Sequence, residues 1–407
     1  MSSASGRKAA MPFIMITVLL DMMSIGIIAP VLPKLIGGFM DSGATTSLAY
    51  GASQAAFSIA QFFSAPILGA LSDRYGRRPV LLLGLLGMAV NFLVTALATE
   101  FWILILVRLM GGAVCANIAV ANAYVADITE PDQRAKNYGL LGAMFGLGFI
   151  LGPVLGGVLG DHDVRWPFLL AGGMALLNCL YGYLVLPESL PPEQRRAFRL
   201  SDANPFASLS RLRELKGVEV LLWMTALTVL AQFTLHTSWF LYNEFKFGWT
   251  PKDNGLSLFA VGLMAVLVQG GLLRQVQKVM PLSRIVLVGM VSSTLAFAAW
   301  GWAPDGWMVY GIIAVNVFGF MVQPALQSLV SNAVDASRQG ETMGVVSSIN
   351  SVAAVLGPLM GSPLLAAVSH HGQGDWRVGA PFYLCAAIQL VATVIAFQYF
   401  KRQRPVA

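Results

Sequence analysis

Charge is scarce in this chain. Only 11% of its 407 residues are Asp, Glu, Lys or Arg, against about 25% in an ordinary soluble domain. Hydrophobic residues make up 56% and the mean hydropathy is +0.69. That composition excludes a soluble globular protein and places the chain in a bilayer. Cysteine and histidine are scarcer still, at three and four residues. Cys115, Cys179 and Cys385 stand singly inside apolar runs with neither metal-ligand nor redox spacing, so neither a metal site nor a disulfide is expected. No Gly-x-x-x-x-Gly-Lys-Ser/Thr loop is present, so no nucleotide is expected to drive the protein. There is no His-Glu-x-x-His and no pair of aspartates within the apolar runs, which argues against a membrane enzyme. No cofactor is expected. Polar stretches are short apart from Pro187 to Gly217, which leaves no room for a large soluble domain. The net charge of +6 is spread over short loops, which reads as a topology signal and not as a nucleic-acid footprint.

What the chain has is apolar length. Crossing about 30 Å of hydrocarbon takes about 20 helical residues. Runs bounded by charge, Pro and Gly predict spans near 10-32, 50-72, 79-98, 102-125, 138-160 and 166-186, then 218-242, 254-275, 283-302, 307-330, 342-368 and 380-400. The apolar stretch from Met11 is read as a retained first span, because Asp21 follows and no small-residue cleavage site does. The fold expected is therefore all-α, with twelve transmembrane helices in two six-helix pseudo-symmetric bundles, 1-186 and 218-407. Residues 187-217 form the linker between them, with one surface helix near Pro205 to Leu215.

An internal repeat supports that division. Leu151-Gly152-Pro153 recurs as Leu356-Gly357-Pro358, with Gly139 matching Gly344 and Gly156 matching Gly361 in the same register. Orientation follows from the cations. One side of the predicted membrane carries Lys34, Arg165, Lys246, Lys252 and Arg377, Arg108 lies within a span, and the other twenty of the 26 Lys and Arg share the side of both termini. Both termini are thus expected in the cytoplasm.

Four kinds of residue carry chemistry. The loop Gly69-Ala-Leu-Ser-Asp73-Arg74-Tyr75-Gly76-Arg77-Arg78 packs its ionised side chains between two spans, so it must lie in water. Asp127, at the end of the fourth span, is the natural partner for Arg77. In the fifth span, Gly148, Gly152, Pro153, Gly156 and Gly157 strip side chains from one helical face, which allows a neighbouring backbone to approach. Asp21 and Arg108 are ionisable residues well inside spans of the first half; charges at that depth are functional by default, the alternative being a permanent structural pair. His236 is as readily a proton carrier as a hydrogen-bonding group between helices. Polar and aromatic residues set in spans are candidates for a substrate pathway: Gln54, Gln61, Asn91, Asn117, Phe145, Gln232, Trp239, Gln269, Asn316 and Gln323.

The signature loop, Gly-x-x-x-Asp-Arg-x-Gly-Arg-Arg, resembles that of the major facilitator superfamily, and the glycine string of the fifth span resembles its antiporter motif. The first span, Leu20-Asp21 through Gly26 to Pro30-Val-Leu-Pro33, is similar to the opening of the tetracycline/proton antiporters. That similarity continues at Gln61-Phe-Phe-Ser-Ala65-Pro66, Phe247-Gly248-Trp249 and Pro324-Ala325-Leu326-Gln327. It implies a proton-coupled antiporter that exports a drug-like organic compound by alternating access. Asp21, Arg108 and His236 would handle protons, the loop residues with Asp127 would form a conformational latch, and the glycines would form the antiporter seam. The partners implied are a small organic substrate, protons and lipid, with the chain acting as a monomer in a bacterial inner membrane. The departures are Asn91, where those antiporters place an aspartate, and a ninth span without an acidic residue. Uptake or facilitated diffusion of a small metabolite is the alternative.

Overall fold

The computed structural model describes residues 3–115, 117–130, 133–195, 204, 217–335 and 338–402, without the side chains of 3–10, 117–119, 134–136 and 138. The surface helix expected near Pro205 to Leu215 lies outside the described residues. Those that are described form helices and connecting turns, with no strand among them. In chain order the helices are α1 Ser3–Ile28, α2 Leu32–Gly37, α3 Gly43–Tyr75, α4 Arg77–Leu97, α5 Phe101–Val114, α6 Asn117–Ile128, α7 Arg134–His162 and α8 Trp166–Val185. After the linker come α9 Glu219–Phe247, α10 Pro251–Leu267, α11 Leu273–Val276, α12 Leu282–Trp302, α13 Trp307–Val315, α14 Val322–Asn332, α15 Gln339–Val368 and α16 Ala380–Arg402. Among the described residues ten spans are long and apolar enough to cross a membrane. A bent pair, Trp307–Val315 with Gly319–Asn332, makes an eleventh, and the expected fourth span is present as the shorter α5 followed by α6. The protein is a multi-pass membrane protein.

The chain forms two compact units. Unit 1 is Met1–Phe39, Ala56–Pro205 and Thr250–Phe259; unit 2 is Met40–Ala55, Phe206–Trp249 and Ala260–Ala407. In unit 1, α1 lies along α7 and α8, and α4 packs on α8. Phe13, Ile14, Met22, Leu81, Tyr124 and Val125 fill its core. In unit 2, α9 lies along α15 and α16 while α12 packs on α16, around Leu221, Met224, Ile285, Met290, Leu326 and Val345. The repeat is visible in buried polar pairs. Asn178 Nδ2 donates to the Thr17 carbonyl at 3.2 Å, and Gln389 Nε2 to the Thr228 hydroxyl at 3.5 Å, each across 161 residues. Hydrogen bonds within apolar surroundings fix one helix against another where hydrophobic burial alone would permit sliding.

Among the described residues, three spans depart from regular helix. The fourth breaks after Val114, where Cys115 has φ −82 and ψ 65. The tenth breaks after Val315, where Asn316 has φ −76 and ψ 37, and resumes through the 3₁₀ turn Gly319–Met321 at a bend of 57°. Gly111-Gly112 precede the first break, and Gly319 and Pro324 follow the second, so local sequence weakens the ladder at both. The eighth span carries a π turn over Val268–Leu272, around Gly270-Gly271.

Candidate functional site

Unit 1 sets two buried ionised residues near the first break. Asp21 on α1 is 7% exposed and Arg108 on α5 is 8% exposed. Both charges act on the Cys115 thiol, which places the three side chains in one neighbourhood. The Arg108 guanidinium also sits over the Phe57 ring, 5.7 Å from its centroid. Asn91 on α4 is buried against α5: its Oδ1 lies 2.6 Å from where a Cβ on Gly111 would be, and this oxygen accepts no hydrogen bond among the described residues. That oxygen can still accept from a donor, where an aspartate would add a second charge.

The glycine seam sets where Asp21 stands. A Cβ on Gly148 would lie 2.7 Å from the Leu19 carbonyl oxygen, and one on Gly152 would lie 2.7 Å from that of Met23. Gly156 meets the Ile27 carbonyl in the same way, and the Pro153 ring comes within 2.9 Å of a Cβ on Gly26. The backbone that the seam admits is therefore α1, gripped on either side of Asp21. Gly157 faces a different neighbour within the unit, the Pro251 carbonyl, at 2.6 Å.

Each break releases carbonyls from the helical ladder, and in each unit a glutamine takes one up. Gln61 Nε2, on α3, donates to the Cys115 carbonyl at 3.2 Å, and Ser64 Oγ donates to Gly112 at 3.1 Å. In unit 2, Gln269 Nε2, from the π turn, donates at 3.4 Å to the Phe320 carbonyl, which has no helical donor because residue 324, four on, is a proline. Asn316 is occupied at its own break, where its Oδ1 accepts from the Ser292 hydroxyl at 2.8 Å and its amide packs on Gly319. In hydrocarbon a freed carbonyl without a donor would cost several kcal/mol, so these side chains are what make the breaks tolerable.

The signature loop is a closed network. Gly76 has φ +106, which favours glycine, and the Glu188 carboxylate occupies the space a side chain would need there. Glu188 accepts from the Arg77 N–H at 2.8 Å and the Arg78 N–H at 3.3 Å, so it caps the otherwise unsatisfied N-terminus of α4. Arg77 pairs with Asp73 at 2.5 Å, reaches Asp127 Oδ2 through Nε at 3.2 Å, and donates to Ser72 Oγ at 2.6 Å. Ser189 Oγ also donates to Asp127, at 3.0 Å. Arg78 donates to the Tyr183 carbonyl at 2.6 Å and sits over the Tyr183 ring, while Arg74 stacks on Tyr75. Gly69 has open space around it. Sequence reasoning did not single out Glu188. Its signal was an acid directly after Pro187 on a side otherwise rich in cations.

The remaining pathway candidates scatter. Gln54 and Gln232 are half-buried, while Phe145, His236 and Gln323 are exposed within their spans. His236 meets the Phe233 ring edge-on. Trp239 is 3% exposed and packed against Trp300 and Phe382, so its ring serves the core of unit 2. The side chain of Asn117 lies outside the described residues.

Three comparisons bear on this arrangement. The family model described as Major Facilitator Superfamily matches residues 14–358 and 282–407. The chain is similar to the tetracycline resistance protein, class C, of Escherichia coli, 36% identical over 369 residues that cover 90% of this chain and 93% of that protein. It is also similar to multidrug resistance protein 2 of Bacillus subtilis (strain 168), 27% identical over 100% of this chain and 98% of that one. Among solved structures, the human organic anion transporter MFSD10 (TETRAN) superposes with a TM-score of 0.70 at 24% identity, covering 96% of this chain and 99% of its own.

Proposed function

This chain belongs to the major facilitator superfamily, and on that premise we propose that it is a proton-coupled antiporter exporting an amphipathic, drug-like organic compound from the cytoplasm by alternating access. It is a transporter and not an enzyme. The observation that carries the finer reading is Asp21: a carboxylate 7% exposed in an otherwise apolar span, in one neighbourhood with Arg108 and held by the glycine seam. Desolvation and a nearby guanidinium push a carboxyl's affinity for protons in opposite directions, and that balance lets a group load and release a proton within one cycle. In this reading Asp21 carries the proton and Arg108 modulates it, with His236 as a subsidiary group. The chain works as a monomer, divided six plus six around the linker. The membrane is a bacterial inner membrane with both termini cytoplasmic, as the cation count favours. The network of Asp73, Arg77, Asp127 and Glu188 is the latch on the cytoplasmic side. The similarity to tetracycline and multidrug resistance proteins supports export of this class of compound.

A second reading, uptake or facilitated diffusion of a small metabolite, is favoured by one observation: among the described residues of unit 2, no carboxylate is buried. One experiment separates them. Inverted membrane vesicles are given tetracycline and a panel of fluorescent amphipaths, with and without an imposed proton gradient. Uphill accumulation that collapses with the gradient supports the antiporter; equilibration indifferent to the gradient supports the diffusive reading.

A further inference from the structure

Unit 2 holds a cavity of about 720 Å³ beside α14, beyond the break in the tenth span. On α14, Pro324, Gln327, Ser328 and Ser331 fall at positions i, i+3, i+4 and i+7, and so share one face of the helix. The opposite face, with Ala325, Leu326 and Val330, is buried in the core of the unit. A polar stripe that takes no part in core packing is costly in a membrane-spanning helix unless something uses it. Asn332 and, from the turn after α11, Gln277 add two more amides to the lining. These side chains offer three amides, each both donor and acceptor, and two hydroxyls. Ser328 Oγ gives its proton to the Pro324 carbonyl at 2.9 Å, which leaves the oxygen to accept. The remaining lining is apolar and includes Met280 and Met343, thioethers that adapt to ligands of varied outline. Among the described residues, no ionised side chain lines the cavity. Its volume lies within the range of about 300 to 1,000 Å³ used for drug-sized ligands.

We propose that this cavity is a loading site, separate from the Asp21 neighbourhood, that takes an uncharged or zwitterionic, polyoxygenated amphipath on the cytoplasmic side before it is exported. The proposal rests on the export reading above and names its substrate class: many hydrogen-bonding groups on an apolar frame, without a fixed charge. A permanent cation gains nothing from neutral amides that water does not already give it. The stripe hangs from the break at Asn316, so occupancy bears directly on the part of the tenth span that is bent by 57°.

The test uses the purified full chain, with tetracycline as the zwitterionic probe and ethidium as the cationic one. Equilibrium dialysis of the parent protein is expected to resolve two classes of tetracycline site. Ser331→Trp, which fills the cavity, removes the weaker class and spares the tighter. Gln327→Leu, which deletes an amide without filling space, weakens that same class and raises the KM for tetracycline transport about fivefold at unchanged kcat, as loss of a neutral hydrogen bond would. Ethidium binding stays as it was in both variants. A single class of tetracycline site in the parent protein overturns the loading site, as does a weaker class that survives Ser331→Trp in a variant with unaltered thermal unfolding. A parent protein that transports neither probe overturns the export reading itself, and the loading site with it.

Discussion

The breaks in the fourth and tenth spans are the same device built twice, with different chemistry around it. Each interrupts a membrane helix, and each broken span leaves a carbonyl without a helical donor, in unit 2 because Pro324 follows Phe320 by four residues. A glutamine takes up that carbonyl from 54 residues before it in unit 1 and from 51 before it in unit 2. Around the first break lie Asp21 and Arg108, both buried and both ionisable. Around the second lie Asn316, Ser292 and Gln269, which are neutral. Among the described residues of unit 2 the buried cation is Lys246, in the last turn of α9, where its ammonium donates to the Gly301 carbonyl at 2.6 Å. The comparison teaches a division of labour. Both units interrupt a span in the same place, and in the proposed reading the main proton chemistry belongs to Asp21 and Arg108 of unit 1 while unit 2 offers ligand mostly neutral groups.

The strongest way to break that division is to remove the charge from unit 1. Asp21→Asn keeps size and hydrogen bonding but cannot titrate, so gradient-driven export is expected to fall about 100-fold, as for other groups that relay protons. Binding of the exported compound should survive, which dialysis checks. Arg108→Lys comes next. An ammonium cannot reproduce a planar guanidinium, and the expected loss is about 1.5 to 3 kcal/mol of function, the worth of a hydrogen bond to a charged group. Transport assays with folded protein quantified in parallel measure it.

Smaller effects sharpen the comparison by treating the two units alike. Gly148→Ala places a Cβ against the backbone beside Asp21, and Gly357→Ala places one 2.7 Å from the Phe233 carbonyl carbon. Overpacking of this kind costs about 1 to 3 kcal/mol. Thermal unfolding should drop in both variants, while proton coupling suffers only in Gly148→Ala. Gln61→Leu and Gln269→Leu each strand a carbonyl. The first is expected to cost about 1 to 3 kcal/mol, and the second, whose bond is longer and more exposed, less than about 1 kcal/mol.

The smallest difference lies in the turns before the sixth and twelfth spans, where Asp163 accepts from the Arg165 N–H and Asp375 from the Arg377 N–H, both at 2.8 Å. Only in unit 2 does the arginine side chain also close on its own aspartate, through Nε and Nη2. The hydrogen bonds from Arg377 hold the Asp375 carboxyl down to about 2 from its ordinary 3.8. Because the folded value is the lower one, this turn's support is present above pH 3.8 and is lost as the pH falls through about 2. Protection of the Arg377 amide, taken as intrinsic over observed exchange rate, should fall as the pH drops through that window and should stay level there in Asp375→Asn.

Much of this was legible in the sequence. Hydropathy located the spans because the bilayer imposes one length on all of them. Glycine spacing announced the seam because close backbone approach has few other solutions. Asp21 and Arg108 stood out because charge is so costly at that depth. The breaks were not legible. Gly111-Gly112 and Gly319 show that a helix tolerates interruption, but the position of the interruption depends on who accepts the freed carbonyls. The partners of Gln61 and Gln269 are backbone atoms, which no motif names, so both looked like pathway residues and nothing more. The surroundings of Trp239 were not legible either: an aromatic near a span end resembles a pocket wall, and it takes the packing of Trp300 and Phe382 to show the ring buried. Glu188 was hidden in a segment whose composition reads as linker.

The most direct test of the division between the units is proton release on ligand binding. Purified protein in weakly buffered detergent with a pH indicator is mixed with tetracycline in the absence of any membrane gradient. If Asp21 carries the proton in competition with the exported compound, the parent protein acidifies the medium on binding, Asp21→Asn binds without acidifying it, and His236→Asn releases protons nearly as the parent does. Undiminished proton release from Asp21→Asn would contradict the account and move the proton chemistry out of unit 1.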